Sequence, residues 1–147
     1  MKRLKTTLFG SGLSTTALGV NAGDFGSATE AKAMLTRAAA AVKADKAGAF
    51  AKFTKGEDGF KDRDLYPFCG GPDGLFSVHP KLAGKSLKEL LDKKGKQLGA
   101  AIYAPTQEGK LGEVDSMWPR PGTEEPVKKV SYVTRIGDPV CVVGYYP

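Results

Sequence analysis

The chain has 147 residues, of which 41% are hydrophobic and 26% are charged, and 22 basic against 16 acidic residues give a formal charge of +6. This composition is typical of one globular domain, and it excludes a disordered chain and a polytopic membrane protein. Two Cys and one His cannot form a four-ligand zinc site by themselves, and there is no CxxCH motif for covalent haem attachment. We therefore expect neither a metal nor a cofactor.

The first 22 residues have the pattern of a secretory signal peptide. Lys2, Arg3 and Lys5 form a basic start, residues 6–20 carry no charge, and Val20-Asn21-Ala22 resembles a signal peptidase site. A disordered extension is the alternative, and the uncharged stretch is too short and too polar for a transmembrane anchor. Cleavage after Ala22 leaves 19 basic and 16 acidic residues, a charge of +3. We expect an exported protein, periplasmic or secreted by a bacterium, with no membrane span in the mature chain.

A long helix is the first predicted element, over residues 28–55. Ser27 and Glu30 have the spacing of a capping box, apolar residues recur every three or four positions, and Gly56 is suited to end the helix. An Ala-rich helix with one apolar face needs a sheet or another helix to pack against. Residues 23–28 are then a short linker, and the domain covers residues 29–147.

Strands and shorter helical stretches follow this helix. The segment Gly70-Gly71-Pro72-Asp73-Gly74 is typical of a turn between two strands, and Ser86 with Glu89 forms a second capping box that begins a helical stretch. A further helical piece over residues 97–104 ends at Pro105. The order of elements predicts an α+β domain with a mostly antiparallel five-stranded sheet. The predicted strands are 65–69, 75–79, 113–118, 128–136 and 140–146.

The two cysteines, Cys69 and Cys141, lie in two of these predicted strands. A disulfide between them would enclose about 70 residues and stabilise the fold by about 4 kcal/mol on the chain-entropy model, and it suits an exported protein. Two buried free thiols are the alternative. A catalytic Cys is not expected, because the single His of the chain, His79, would have to be its base.

Motifs for catalysis or nucleic-acid binding are weak. Leu82-Ala83-Gly84-Lys85-Ser86 resembles the end of a P-loop, but His79 stands where the first glycine of that motif is required. A lone His is more typical of a structural residue than of a catalyst, and no Gly-x-Ser-x-Gly or His-Glu-x-x-His pattern is present. The lysines alternate with acidic residues, as on solvated surfaces. We expect no enzyme activity and no nucleic-acid partner.

One segment combines aromatic and cationic residues differently. Trp118, Arg120, Lys129 and Tyr132 lie on two adjacent predicted strands and their connection. Aromatic walls with a cation at one end suit a small carboxylate, because the rings pack its apolar part and the cation pairs with the anion. Lys129 and Tyr132 share a face only if the strand bulges or twists. The alternative is that Trp118 and Tyr132 are core residues and the cations are solvated.

A series of short motifs along the chain is similar to one known family. The motifs are Asp64–Cys69, Asp73-Gly74 with Val78-His79-Pro80, Leu82–Leu87, Asp92–Lys96, Trp118–Pro121, Lys129–Val133, and Gly137-Asp138 through Gly144–Tyr146. Their order and spacing over residues 29–146 resemble the single Cache domain family, the extracytoplasmic ligand-binding domains of bacterial chemoreceptors and sensor kinases, some of which are free-standing secreted proteins. The resemblance implies a PAS-like sheet in the order 2-1-5-4-3 with the long N-terminal helix packed on it. In that order the first and last strands are neighbours, which brings Cys69 near Cys141.

The resemblance also implies a ligand and a site. The family's usual ligands are small organic acids, such as pyruvate- or acetate-like carboxylates, held between the sheet and the helical segment before the third strand. In this chain Lys129 would pair with the carboxylate, Trp118 and Tyr132 would wall its apolar part, and His79 or Tyr103 would donate hydrogen bonds. Arg120 would lie at the rim. The implied ligand-binding residues are His79, Tyr103, Met117, Trp118, Arg120, Lys129 and Tyr132.

Two departures from the family pattern favour a second hypothesis. Ser116 stands where the family often has Tyr, and Pro105 stands where the family commonly continues a helix. A protein-interaction or structural module with a vestigial pocket is therefore the alternative. Because the chain stops at Pro147 directly after the last predicted strand, we expect a signal to pass to a separate membrane chemoreceptor or histidine kinase, as in chemotaxis. The alternative is that the protein only binds and buffers a ligand.

Overall fold

The computed structural model describes residues 23–104 and 106–147, so the predicted signal peptide over residues 1–22 and the predicted helix stop at Pro105 lie outside the described residues. Helices and strands follow one another in the α+β order that the sequence predicts. They are α1 (Ala28–Ala44), α2 (Lys46–Lys55), β1 (Pro67–Gly70), β2 (Phe76–Val78), α3 (Leu98–Tyr103), β3 (Gly112–Pro119), β4 (Pro126–Arg135) and β5 (Val140–Tyr145).

The helix predicted over residues 28–55 is two helices, because Asp45 interrupts it. The backbone of Asp45 is extended, and its carboxylate accepts a hydrogen bond from the Gly48 N–H at 3.1 Å, which caps the start of α2. The capping box of Ser27 and Glu30 at the start of α1 is confirmed. Gly56 ends α2 in the left-handed conformation, with a φ of 69°, as its position predicts.

The helical stretch predicted from Ser86 is wrong, and only a turn is present there. Ser86 Oγ accepts a hydrogen bond from the Glu89 N–H at 3.2 Å, as a helix cap would. However, the N–H groups of Leu87 and Lys88 both donate to the Gly74 carbonyl, at 2.8 and 2.9 Å. The backbone is therefore tied to the turn before β2 instead of continuing into a helix. The helical segment between β2 and β3 is α3, within the range predicted for it.

The five strands form one antiparallel sheet in the order β2-β1-β5-β4-β3. This is the order that the family resemblance implies, and it places the first and last strands side by side. Cys69 of β1 pairs in register with Cys141 of β5, and the two form a disulfide with a Cα–Cα distance of 4.1 Å. Both cysteines are completely buried. The predicted disulfide is thus present in the centre of the sheet.

Each face of the sheet is covered by a different part of the chain. We call the side against α1 the helix face; its packed residues include Met34, Leu35, the disulfide and Tyr132. The opposite side, the pocket face, lies against α3 and the segment between β2 and α3. Side chains alternate between the two sides along each strand. Along β5, for example, Val140 and Val142 pack on the pocket face and Cys141 and Val143 on the helix face.

Candidate functional site

A small enclosed cavity lies on the pocket face, between the sheet and the segment that leads into α3. Its volume is about 20 Å³, which is room for about one water molecule. The wall is mostly aromatic and aliphatic, with a few polar side chains that come from β3, β4 and the end of β2. The lining residues are Tyr66, Phe68, Phe76, His79, Leu82, Leu90, Leu98, Ile102, Ser116, Trp118, Lys129 and Ser131.

Lys129 is the cation of this cavity. It lies on β4 opposite Ser116 of β3, and its side chain is almost entirely buried, with 4% of the residue exposed. Room for its stem comes from Gly144 on the neighbouring strand, because a Cβ there would lie 2.4 Å from the Lys129 Cε. A side chain at position 144 is therefore incompatible with Lys129 in this position.

Three aromatic rings surround the Lys129 ammonium group. Nζ lies 5.1 Å from the ring centroid of Tyr66, 5.3 Å from that of Tyr146 and 6.0 Å from that of Phe68. The quadrupoles of these rings attract the cation. Among the residues that the structure describes, no carboxylate forms an ion pair with it. Lys129 is thus a buried cation that contacts aromatic rings and forms no ion pair within the described residues.

The environment of Lys129 makes its charge costly. Burial lowers the pKa of Lys129 to about 8, and the negative charge of Asp64 partly opposes this shift. The group remains mainly protonated at neutral pH. A carboxylate that entered the cavity would relieve the cost and raise the pKa of Lys129, because an opposite charge favours the protonated form.

His79 is a neutral side chain that lines the cavity. Its Nδ1 accepts hydrogen bonds from the N–H groups of Lys81 at 2.9 Å and Leu82 at 3.0 Å, which assigns the ring proton to Nε2. Burial, with the nearby charges of Lys129 and Lys81, lowers the pKa of His79 to about 4. The imidazole packs edge-on against Phe76, at 5.0 Å between ring centroids. His79 therefore stays uncharged at neutral pH, with one N–H available.

Ser116 adds a second uncharged donor. Its Oγ is buried and has no hydrogen-bond partner among the described residues. It lies next to Trp118, which is two residues further along β3 and lines the same cavity. The Lys93 Nζ lies over the indole ring of Trp118, at 5.0 Å from its centroid. Lys129, His79 and Ser116 together offer N–H and O–H groups, an arrangement suited to an acceptor-rich anion.

Of the predicted site residues, the structure brings His79, Trp118 and Lys129 together. Tyr132 does not join them: it packs on the helix face and stacks on Tyr145 at 5.8 Å between centroids. The reason is strand alternation, since β4 continues without the bulge that Tyr132 would need to share a face with Lys129. The placement of Tyr132 in the pocket is thereby corrected.

Tyr103 and Met117 also lie outside the cavity wall. The Tyr103 hydroxyl donates to the Gly71 carbonyl at 2.8 Å, so it fastens α3 to the end of β1. Met117 lies between Ser116 and Trp118 on β3, so its side chain is on the other side of the strand. Its N–H donates to the Asp92 Oδ2 at 2.9 Å.

An open groove of about 470 Å³ adjoins the cavity and shares Tyr66, His79, Leu82 and Trp118 with it. We call this groove the outer groove. Arg120 lies in it, at the rim where the sequence predicts it, with its guanidinium carbon 4.0 Å from the ring centroid of Phe25. Its remaining lining residues are Phe53–Gly56, Phe60, Lys61, Arg63, Pro80, Lys81, Lys93, Pro119 and Pro121–Thr123.

Sequence reasoning missed several residues of the cavity wall. Tyr66 directly precedes β1 and Phe68 lies on it, and both line the cavity. Ser131 lies two residues after Lys129 on β4. Because residues two apart share a face, the position of Lys129 was itself the signal for Ser131. Ser116 was noticed as a departure from the family pattern, and strand pairing places it directly opposite Lys129.

Comparison with known proteins defines the class of this domain. The Cache domain family model matches residues 52–146, so the chain belongs to the Cache domain family, as its motifs predict. Cache domains are sensor and ligand-binding domains. No curated protein matches the sequence significantly.

Solved structures share the fold. One is a methyl-accepting chemotaxis protein from Vibrio parahaemolyticus RIMD 2210633, with 24% identity, a TM-score of 0.64, and coverage of 78% of this chain and 84% of that one. Another is a periplasmic sensor domain of a chemotaxis protein, with 23% identity, a TM-score of 0.61, and coverage of 79% and 87%. A third is a Cache chemosensory domain solved for its carboxylic acid recognition, with 23% identity, a TM-score of 0.60, and coverage of 80% and 86%. These likenesses establish the α+β Cache fold.

Two features are absent from the described residues. Within residues 23–104 and 106–147, none of the helices combines the length and the apolar character that crossing a membrane requires. The same residues contain no group of three or more His, Cys, Asp or Glu side chains placed to hold a metal ion.

Proposed function

We propose that this Cache domain is an exported, non-catalytic sensor that binds a small organic acid of the pyruvate or acetate type in the pocket-face cavity. Residues 1–22 are then a cleaved signal peptide, residues 23–28 a linker, and residues 29–147 the binding domain in the periplasm or outside the cell. Binding changes the activity of a separate membrane chemoreceptor or histidine kinase. The buried disulfide and the similarity to a periplasmic sensor domain of a chemotaxis protein support this setting.

The observation that carries the proposal is the buried, unpaired Lys129. A buried ammonium group is costly unless an anion compensates it, and aromatic rings supply only part of that compensation. A carboxylate beside Nζ would form a charge-assisted hydrogen bond in a place from which water is nearly excluded. The cost that Lys129 brings to the folded state is thus relieved by the ligand, which is typical of a binding residue.

The other polar groups favour an acid over other small molecules. The Nε2–H of His79 and the Oγ of Ser116 donate toward the same cavity, while the remaining wall is apolar. Two donors and one cation match the two oxygens of a carboxylate, and the aromatic wall suits a short carbon chain. An amine ligand would meet Lys129 as a like charge and is disfavoured.

The small volume of the cavity sets a condition on binding. A space for one water molecule does not hold even acetate, so wall residues must move when an acid enters. The entrance is at Tyr66, His79, Leu82 and Trp118, which separate the cavity from the outer groove. Leu82 and His79 belong to a turn-rich segment, so this side of the wall is more easily displaced than the strands.

A titration of purified protein with pyruvate, acetate, lactate and propionate tests the proposal. We expect at least one of these acids to raise the melting temperature at millimolar concentration. Lys129→Met keeps an unbranched side chain that is one atom shorter and removes the charge. We expect at least about a thirtyfold loss of affinity in this variant, because truncating one partner of a buried charge pair costs about 2 kcal/mol or more.

Lys128→Met is the matched control. Lys128 is the preceding residue of the same strand, and it is exposed on the opposite side. This variant removes the same charge and should keep the affinity of the wild type. If none of the acids binds, or if both variants bind equally well, the proposed carboxylate site is refuted.

A protein-interaction or structural module with a vestigial pocket is the second candidate function. The observation that favours it is the small volume of the cavity, which is closed around Lys129. This candidate predicts no response to any acid, together with specific co-purification of a membrane receptor. A receptor that co-purifies equally with wild type and with Lys129→Met, in the absence of any ligand response, would support it.

A further inference from the structure

The outer groove is lined by an unusual concentration of positive charge. Within the described chain, none of its lining residues is Asp or Glu. Arg63 is neutralised by ion pairs with Glu30 and Asp62, and the other cations of the groove form no ion pair among the described residues. The basic residues of the groove are Lys55, Lys61, Arg63, Lys81, Lys93 and Arg120.

Two of these cations are fixed in place by aromatic rings. The Lys93 Nζ lies over Trp118, and the guanidinium group of Arg120 lies between Phe25 and Tyr146. The Arg120 Nε is buried and has no hydrogen-bond partner in the described residues. Rings hold these cations but do not neutralise them, so both remain available to an anion.

The groove and the cavity differ strongly in size although they share four wall residues. The cavity measures about 20 Å³ and the groove about 470 Å³, and the groove lies within the range typical of ligand sites. A ligand whose first carboxylate reached Lys129 would therefore have most of its remaining atoms in the groove. The groove is lined by five cations without acidic partners among the described residues, which favours negative charge on that part of the ligand.

We propose that the outer groove is a second anion site, which takes a further carboxylate or phosphate group of a multivalent organic acid. The inference rests on the proposed function in one respect, namely that the cavity receives the first carboxylate. It extends that function by assigning Lys55, Lys61, Lys81, Lys93 and Arg120 to the ligand. It also predicts that acids with two or three charged groups bind more tightly than the monocarboxylates.

Calorimetric titration with propionate, glutarate and citrate tests this inference. We expect citrate to bind wild type at least about tenfold more tightly than propionate, and this advantage to shrink at high salt because the groove is open to solvent. The variant Lys55→Gln/Lys61→Gln/Lys81→Gln should lose about tenfold in citrate affinity, since each exposed cation contributes modestly. Its affinity for propionate should change much less.

Lys43→Gln/Lys46→Gln/Lys110→Gln is the control, because it removes the same number of charges from lysines that are exposed and lie outside the groove. It should keep the advantage of citrate. Equal affinity of wild type for citrate and propionate would overturn the outer site, as would equal losses of citrate affinity in the two triple variants.

The Lys129→Met variant separates this inference from the proposed function. Citrate binding that needs the groove lysines but survives Lys129→Met supports the outer site and contradicts the carboxylate site in the cavity. Propionate binding that needs Lys129, with no gain for citrate, supports the proposed function and overturns the outer site.

Discussion

The two faces of the sheet are built from the same strands but have opposite chemistry. On the helix face, α1 packs Met34 and Leu35 against the disulfide, and the contacts are almost entirely apolar. On the pocket face, Lys129 is buried among aromatic rings and forms no ion pair within the described residues, and the buried Ser116 hydroxyl has no hydrogen-bond partner there. The helix face therefore contributes apolar packing, and the pocket face combines an apolar cluster with a buried cation and a buried hydroxyl group.

A single strand contributes both to the core on the helix face and to the wall of the cavity. Along β4, Tyr132 belongs to the helix face, while Lys129 and Ser131 line the cavity. Successive side chains point to opposite sides of a strand, so a single register fixes both sets at once. The rigid packing of α1 on one side thereby holds the cation of the other side in place, which reduces the cost of ordering it for a ligand.

Of the changes considered, removal of the disulfide on the helix face should lower the free energy of unfolding most. In Cys69→Ala/Cys141→Ala the chain loses a crosslink between residues 72 positions apart. The chain-entropy model predicts a loss of about 4 kcal/mol in the free energy of unfolding, measured by urea denaturation. Ligand affinity of the folded protein should stay unchanged, because both cysteines lie on the side away from the cavity.

Chemical reduction of the wild-type protein is the control for this variant, since it removes the same bond without changing any side-chain carbon. We expect the same loss of stability from reduction. Stability within about 1 kcal/mol of the oxidised wild type in both samples would show that the disulfide does not stabilise the helix face as proposed.

Replacing Lys129 should show how much its buried charge on the pocket face lowers the free energy of unfolding. The pKa of Lys129 is lowered to about 8 by burial, so between about pH 8 and the ordinary value of 10.5 the unfolded chain holds a proton that the folded chain has released. The free energy of unfolding of wild type should therefore rise with pH over that interval, relative to Lys129→Met. The full relative rise is about 3 kcal/mol at most, and at pH 7 the variant should be the more stable protein.

The measurement is a series of urea denaturation curves from pH 7 to about pH 10 for wild type, Lys129→Met and the exposed control Lys128→Met. The difference between wild type and Lys128→Met should be flat across the series. Tyrosine titration in the unfolded chain is the same in all three proteins. In the folded protein, burial raises the pKa of Tyr66 to about 12 and also raises that of Tyr146, so neither titrates over this range. A flat difference for Lys129→Met as well would show that Lys129 is not held as a costly cation.

The sequence supports a correct prediction of most of the fold because its signals are local or repeated. The Ser27 capping box, the turn around Gly71 and the apolar strands lead to the observed order of elements, and the family motifs lead to the strand order. The helix break at Asp45 and the single turn at Ser86 were missed. In both cases a hydrogen bond determines the local backbone structure. The Gly48 N–H donates to the Asp45 carboxylate, and the Leu87 N–H donates to the carbonyl of the distant Gly74. Neither bond leaves a periodic pattern in the sequence.

The site was harder to predict because its residues meet only through the sheet. His79, Trp118 and Lys129 were named from aromatic and cationic character, and the structure brings them together. Tyr132 was named by the same criterion, although its odd spacing from Lys129 indicates the opposite face. The groove lysines are spread between residues 55 and 93, so the sequence shows them only as charges that alternate with acids.

The smallest expected effects come from removing one oxygen atom on each face of the sheet. They compare the two faces most directly, because the two changes are of the same size. Ser116→Ala removes the buried Oγ that has no protein partner, so the folded protein should lose no stability. Propionate should bind about fivefold more weakly, because a net hydrogen bond contributes about 1 kcal/mol. Tyr132→Phe removes a hydroxyl from the helix face and should leave the affinity within about twofold of wild type, since Tyr132 does not line the cavity. Calorimetric titration of the two variants with propionate shows which face contacts the ligand. A loss of affinity in Tyr132→Phe as large as that in Ser116→Ala would place Tyr132 in the site. It would contradict the separation of the two faces by strand alternation.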